Sequence, residues 1–147
     1  MWPAGAQTIT GRVVGVTDGD TLTVLEGRTQ HKVRVHGIDA PEKGQPFSNR
    51  AQEYASALAF GKTVTVRRRD TDRYGRVVGE VELPGGADLG REMVRAGLAW
   101  WFRRYAPKDR DLPRLEAEAR GARRGLWADR QPTPPWEWRK QERLPPC

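Results

Sequence analysis

Alternation of β-branched and polar residues in the first forty positions predicts three β-strands joined by tight turns. The predicted strands cover residues 8–16, 21–25 and 31–38. Asp18-Gly19 and Glu26-Gly27, two pairs that favour turns, separate these strands. Because the connections are short, we expect a β-meander, which prolines and glycines within residues 41–46 bring to an end.

Apolar residues at helical spacing predict three helices in the remainder of the chain. They begin near Ser48 or Asn49, at Asp88 and at Asp111, and end before Gly61, at Ala96 and at Gly125. Asn49 and Gln52 resemble a capping box for the first helix, and Asp88 is the predicted N-cap of the second. Strands over residues 62–69 and 77–83 follow the first helix and enclose a polar hairpin loop.

The predicted order of elements, β-β-β-α-β-β-α-α, indicates a fold class. Five strands with a helix between the third and the fourth are typical of an OB-type barrel, one face of which commonly binds oligonucleotides. We therefore predict an α+β domain over residues 8–128, a five-stranded OB-type β-barrel with three helices. Residues 129–147 contain five prolines, which predict a non-helical tail that packs through Trp136 and Trp138.

The charge of the chain favours a polyanionic partner. Lysine and arginine outnumber aspartate and glutamate, which gives the 147 residues a formal net charge of +7. Nucleic acid is the first such partner and an anionic membrane surface the second, although the same charge also fits solubility alone. No apolar run reaches membrane-spanning length. Cys147 is the sole cysteine, which excludes a disulfide within the chain.

Four carboxylates lie at the ends of the first and third predicted strands: Asp18, Asp20, Asp39 and Glu42. Alone, each acidic motif also fits an ordinary turn or loop. The ends of these two strands are neighbours in a meander, so we expect the carboxylates to meet at one rim of the sheet. A divalent cation would relieve their mutual repulsion, and carboxylate oxygens are the ligands that Ca²⁺ and Mg²⁺ require. His31 and His36 lack cysteine partners, which favours solvated strand residues over zinc ligands.

Two arginines supply groups that bind phosphate. A guanidinium binds two phosphate oxygens at once and keeps its charge, as hydrolysis of a phosphodiester requires. Arg34 lies on the strand that leads to Asp39, Arg76 follows the hairpin loop, and Glu42 is a candidate to accept a proton from the attacking water. Either arginine also fits an exposed basic residue. Strict alternation places Arg34 and Asp39 on opposite faces, so we predict a bend at Gly37 or at the end of the strand.

Together these motifs resemble the thermonuclease, or staphylococcal-nuclease-like, family over roughly residues 10–127. The resemblance rests on the ordered set Asp18-Gly-Asp-Thr21, Arg34, Asp39-Ala-Pro-Glu42, Asp72-Arg-Tyr-Gly-Arg76 and Leu98-Ala99. It implies the five-stranded barrel with three helices and Ca²⁺-dependent cleavage of DNA and RNA. The expected products carry a 5′-hydroxyl and a 3′-phosphate.

The resemblance also implies a metal site. By that match, Asp20 and Asp39 bind the Ca²⁺ through their carboxylates, and Ala40 binds it through its backbone carbonyl. Asp18 and Thr21 are expected to support these ligands.

For catalysis, the resemblance assigns the general base to Glu42, acting through a water of the metal shell, and phosphate binding to Arg34 and Arg76. An aromatic residue that the family pattern leads us to expect near Arg103 is missing. The residues matched to substrate contacts are Arg73, Tyr74 and Tyr105.

Two other functions stay open at this point: an OB-type domain that only binds nucleic acid, and a basic structural or interaction domain. The complete set Asp20, Arg34, Asp39, Glu42 and Arg76 favours the enzyme. The resemblance favours a secreted or periplasmic protein, although the first seven residues lack the basic and apolar regions of a secretory signal. We expect a monomer that acts on DNA or RNA and does not associate with a membrane.

Overall fold

The structure is a computed structural model that describes residues 7–143. Its strands are β1 Thr8–Asp18, β2 Thr21–Glu26, β3 Thr29–Val35, β4 Ile38–Asp39, β5 Thr63–Thr71, β6 Val77–Glu82 and β7 Trp100–Trp101. Its helices are α1 Ser48–Ala59, α2 Leu89–Arg95, α3 Asp111–Gly121 and α4 Pro135–Arg143, with a 3₁₀ turn at Gly125–Ala128. Within the described residues, no helix combines the length and the apolar character needed to cross a lipid bilayer.

Five strands close into a barrel in the order β1-β2-β3-β6-β5. All neighbouring pairs are antiparallel except β3 and β6, which run parallel. Interior and exterior positions alternate along barrel strands, and the interior is filled by fully buried valines, among them Val13, Val24, Val33, Val64, Val66 and Val81. The predicted α+β class and the five-stranded OB-type barrel are therefore confirmed.

The third predicted strand divides at Gly37. β3 ends at Val35, and Gly37 has a φ of +83°, a left-handed conformation that residues with a side chain rarely adopt. A Cβ on Gly37 would also lie 3.1 Å from Leu112 Cδ1. The chain turns there and forms β4, which pairs with β7 in a separate two-stranded sheet. The prediction of one strand over residues 31–38 is wrong at its end, whereas the predicted bend is confirmed.

The first helix begins without the capping box predicted from Asn49 and Gln52. Its N-cap is Phe47, with a φ of +71°, and no side chain caps the helix. Gln52 instead donates a hydrogen bond from Nε2 to the carbonyl oxygen of Val16, 3.1 Å away. A contact between α1 and β1 has replaced the local bond, so the predicted capping box is wrong.

The second helix has its predicted N-cap, because Asp88 Oδ1 accepts a hydrogen bond from the backbone N–H of Arg91 at 2.9 Å. Burial raises the pKa of the Asp88 carboxyl, although that hydrogen bond and the Arg91 charge lower it in part.

We expect Asp88→Ala to lower the free energy of unfolding by about 1 kcal/mol, since it removes the cap. Asp88→Asn keeps the acceptor and should cost less. Urea denaturation measures both variants, and equal losses would contradict the capping role.

The last helix corrects the prediction of a non-helical tail. Proline is tolerated at the first helical position, where a backbone N–H would have no partner within the helix, and α4 begins at Pro135. The backbone N–H groups of Glu137 and Trp138 bond to the carbonyl oxygen of Pro134. Two consecutive prolines thus mark the start of a helix, and the described chain has four α-helices rather than three.

Trp136 docks α4 against an aromatic cluster, which consists of Trp100, Phe102, Trp127 and Trp136. The ring of Trp136 lies 5.5 Å from that of Trp100 and 5.3 Å from that of Phe102, and Trp100 lies 4.4 Å from Trp127. Aromatic rings at these separations stabilise one another beyond their burial. The predicted packing of the tail through Trp136 is confirmed. It fixes α4 beside β7, whose partner strand β4 carries Asp39.

Candidate active site

The side chain of Arg34 connects the two acidic segments. Its Nη2 lies 3.3 Å from Asp39 Oδ1 and 3.5 Å from Asp20 Oδ2. Its Nη1 donates hydrogen bonds to the carbonyl oxygens of Val35 and Ile38, both at 2.9 Å. The glycine bend after β3 makes these contacts possible, because it turns Asp39 back towards the strand that carries the arginine.

Asp20 lies in the turn between β1 and β2 and is 6% exposed. Its Oδ1 accepts a hydrogen bond from Thr21 Oγ1 at 3.0 Å, and its Oδ2 accepts one from the backbone N–H of Ala40 at 2.8 Å. Gly19 allows this close approach, since a Cβ there would lie 3.0 Å from the Cβ of Ala40 and 2.9 Å from that of Ala51. The two acidic loops are therefore held directly against each other.

Burial and mutual repulsion act on the carboxylates of this cluster. Burial raises the pKa of Asp39, whose side chain is 1% exposed, and a hydrogen bond from Arg139 lowers it only in part. Burial also raises the pKa of Asp18, and the negative charges of Asp20 and Glu42 raise it further. A bound cation would favour the charged forms of such carboxylates.

Glu42 lies in the loop that follows β4, and its side chain is 37% exposed. Its backbone N–H donates to Gln45 Oε1 at 2.9 Å, which fixes the loop. Glu42 Oε1 accepts a hydrogen bond from Arg139 Nη1 at 2.6 Å. Because Arg139 also contacts Asp39, one guanidinium links the two carboxylates.

Arg76 belongs to the hairpin loop between β5 and β6. Its Nε donates to Asp72 Oδ2 at 2.6 Å and its backbone N–H to Asp72 Oδ1 at 2.9 Å, so an aspartate of the same loop sets its position. Arg34 lies opposite Val78 in the parallel β3–β6 pair, and Arg76 precedes Val78 by two residues. Burial raises the pKa of Asp18, and the positive charges of Arg34 and Arg76 offset part of that increase.

The residues predicted to bind substrate lie on the surface. Tyr74 is 70% exposed, and Arg73 donates from Nη2 to the Tyr74 hydroxyl at 2.8 Å. Tyr105 is 61% exposed, and its ring lies 4.8 Å from that of Phe102. Exposed aromatic rings can stack with nucleobases. The substrate role of these residues stays a prediction.

The sequence matches known proteins over most of its length. The family model described as staphylococcal nuclease homologue matches residues 32–129. The chain belongs to the staphylococcal nuclease family. A protein of Escherichia coli named uncharacterized endonuclease is 45% identical over 141 residues, which cover 96% of this chain and 92% of that protein. A micrococcal nuclease of Shigella flexneri is 42% identical over 139 residues, which cover 88% and 80% of the two chains.

Of the set Asp20, Arg34, Asp39, Glu42 and Arg76, all except Asp20 lie in the range that the staphylococcal nuclease family model matches. Asp20 precedes the range and Arg139 follows it. Sequence reasoning missed Arg139, because its partners lie 97 and 100 positions away along the chain. The one available signal was the pair Pro134-Pro135, which fits the start of a helix as well as the non-helical tail predicted from the sequence.

The family implies Ca²⁺, and the donor chemistry of the site fits a divalent cation. Asp20 and Asp39 present carboxylate oxygens, the hard donors that Ca²⁺ requires, and both lie within 3.5 Å of the Arg34 guanidinium. Arg139 places a second positive charge between Asp39 and Glu42. Within residues 7–143, no group of three or more His, Cys, Asp or Glu side chains is arranged to hold a metal ion. Backbone carbonyls or water would therefore have to complete the coordination of a cation held by the two aspartates.

Proposed function

We propose that the protein is an endonuclease that uses a divalent cation, Ca²⁺, to hydrolyse phosphodiester bonds in DNA and RNA. The observation that carries the proposal is the contact of one guanidinium, that of Arg34, with both Asp20 and Asp39. A guanidinium, the kind of group that binds phosphate, is thus in contact with two carboxylates, the kind of group that binds cations. Membership of the staphylococcal nuclease family supports the same reaction class. We further propose low sequence specificity and products with 5′-hydroxyl and 3′-phosphate ends.

The residues of the site divide three tasks between them in the proposed reaction. Asp20 and Asp39 hold the cation, which supplies positive charge next to the phosphate oxygens when bound. Glu42, more exposed than either aspartate, accepts a proton from the water that attacks phosphorus. Arg34 and Arg76 donate hydrogen bonds to phosphate oxygens as negative charge grows on them. Arginine suits this task because its planar fork matches two phosphate oxygens at once.

Low sequence specificity follows from the groups that the site offers. The charged side chains act on the phosphate, which is the same at every nucleotide. Bases would meet exposed aromatic rings, and stacking on such rings tolerates any base. The formal net charge of +7 adds an attraction to polyanions that does not depend on sequence.

A cleavage assay tests the proposed function. Single-stranded DNA and RNA are incubated with the protein in Ca²⁺ and in excess chelator, and the product ends are then analysed. We expect degradation in Ca²⁺ alone, with 5′ ends that a polynucleotide kinase labels without prior phosphatase treatment. Binding without cleavage in any divalent metal would instead favour the alternative, an OB-type domain that only binds nucleic acid.

Arg76→Ala should lower turnover by about 10²–10³-fold, because removal of one donor to a developing negative charge costs about this much. Stability should change little, since the ion pair between Arg76 and Asp72 is partly exposed. Steady-state kinetics with a short oligonucleotide measure the effect. Arg114→Ala removes an exposed arginine on α3 that pairs with Glu118 and serves as the control. A loss of affinity with unchanged turnover would make Arg76 a plain binding residue.

A further inference from the structure

Arg139 joins the active site from the far end of the described chain. Its Nη2 donates to Asp39 Oδ2 at 2.7 Å, and its Nη1 donates to Asp39 Oδ1 at 3.3 Å and to Glu42 Oε1 at 2.6 Å. One guanidinium therefore bridges a proposed cation ligand and the proposed general base. Hydrogen bonds between ionised groups are about twice as strong as those between neutral groups.

Two anchors fix α4 and make the Arg139 contact a part of the fold. Trp136 packs α4 into the aromatic cluster. Before the helix, the carbonyl oxygen of Thr133 accepts a hydrogen bond from Gln45 Nε2 at 2.6 Å. Gln45 is 5% exposed, and its Oε1 accepts from the backbone N–H of Glu42. The segment that leads into α4 is thus bonded to the loop that carries the general base.

The positive charge of Arg139 lies where a cation held by Asp39 would bind. Asp39 is almost fully buried, and a buried carboxylate is costly unless it has a partner of opposite charge. Arg139 contacts both oxygens of Asp39, while Arg34 contacts Oδ1. A divalent cation bound to the same oxygens would be repelled by a guanidinium a few ångströms away. Because Arg139 contacts both oxygens of Asp39, a cation bound to those oxygens would have to compete with it for them.

We propose that Arg139 is an internal counter-ion that competes with the divalent cation for Asp39 and Glu42 and so sets the affinity of the site for that cation. The inference rests on the proposed function, because it concerns the same site. Without the cation, Arg139 forms an ion pair with Asp39 and donates a hydrogen bond to Glu42. Cation binding displaces Arg139 and frees Glu42, so the general base becomes available only when the cation is present.

Titration of the full chain with Ca²⁺ by isothermal calorimetry tests the competition. We expect Arg139→Gln to bind Ca²⁺ at least about fivefold more tightly than the wild-type chain, as for coupled sites in general. Lys140→Gln is the matched control, since it removes the same charge from the next residue of α4. Lys140 is 71% exposed and pairs with Glu137 rather than with the site, so this variant should keep wild-type affinity. Equal tightening by both variants would indicate an effect of net charge and overturn the inference.

Trp136→Ala is an independent variant that leaves every charged group in place. It loosens α4, so we expect tighter Ca²⁺ binding, in the same direction as for Arg139→Gln; unchanged affinity would count against the inference.

Thermal denaturation gives a second measurement. In chelator, Arg139→Gln should have a lower Tm than the wild type, because Asp39 loses a partner. Its Tm should then rise more on addition of Ca²⁺, and an equal rise in both chains would contradict the competition.

The same variants separate failure of this inference from failure of the proposed function. If the wild type binds Ca²⁺ and cleaves DNA but Arg139→Gln has the same affinity, the inference alone fails. If no chain binds Ca²⁺ or cleaves in its presence, the proposed function fails and the inference with it. If Arg139→Gln keeps wild-type affinity and loses turnover in saturating Ca²⁺, Arg139 acts on the phosphate and the inference is overturned.

Discussion

Glu42→Gln is expected to lower the turnover number of DNA cleavage by about 10²–10⁴-fold, the usual contribution of a general base. Glutamine keeps the size of the side chain but does not accept a proton from water near neutral pH. KM should change little, because in the proposed reaction Arg34 and Arg76 bind the phosphate. The fold should be retained, since the Glu42 side chain is partly exposed and its backbone bond to Gln45 is unaltered. Single-turnover kinetics in saturating Ca²⁺ measure the chemical step.

Glu53→Gln provides the control for this result. Glu53 is exposed on α1, and the substitution makes the same chemical change outside the acidic cluster. The control should cleave DNA at the wild-type rate. If Glu42→Gln retained wild-type turnover, another group would have to accept the proton. A loss of Ca²⁺ affinity in Glu42→Gln, with turnover intact once Ca²⁺ saturates, would place Glu42 among the cation ligands instead.

Arg34→Ala should lower the free energy of unfolding by about 3 kcal/mol, in the range for breaking a buried ion pair, and abolish detectable cleavage. The substitution removes a positive partner from Asp20 and Asp39, which are 6% and 1% exposed. It also removes the hydrogen bonds to the carbonyl oxygens of Val35 and Ile38 at the bend. Cleavage is lost because the same guanidinium would bind the phosphate. Urea denaturation in chelator measures stability separately from cation binding.

Lys32→Ala is the matched control for Arg34→Ala. Lys32 lies two residues earlier on β3, on the same strand face, and is exposed. Lys32→Ala removes the same charge without altering the bend, so it should lower the free energy of unfolding by less than about 0.5 kcal/mol. Similar stabilities of the two variants would show that Arg34 does not stabilise the bend. Arg34→Lys should restore part of the stability but little activity, since an ammonium does not make two parallel hydrogen bonds.

The barrel and the acidic ends of its strands were predictable because their signals are local. Alternation around Val33 and the turn at Asp18-Gly19 depend on residues a few positions apart, and the folded structure keeps both. The bend at Gly37 was predictable for a different reason. Strict alternation of strand side chains would place Arg34 and Asp39 on opposite faces, so they can share one site only if the strand bends between them. Gly37 lies between the two residues and allows that bend.

Contacts between distant parts of the chain account for what the pattern missed. β4 and β7 have two residues each, too few for any periodicity, and they pair Asp39 with Trp100. The predicted capping box failed because Gln52 has a partner on β1. Arg139 is 100 residues from Asp39, so no spacing along the chain connects them. Such partners are defined by the closed structure rather than by neighbouring residues.

The parallel pairing of β3 with β6 determines the stage of folding at which the site becomes complete. β1, β2 and β3 associate through short turns, whereas Val33 must find Val77 across the whole of α1 and β5. We expect contacts of such sequence separation to form late, because closing a long loop costs chain entropy. A chain that has folded only its first hairpins would therefore have Asp20 and Arg34 in place but not β6, the strand that Arg76 directly precedes. We therefore expect only chains with a closed barrel to cleave nucleic acid.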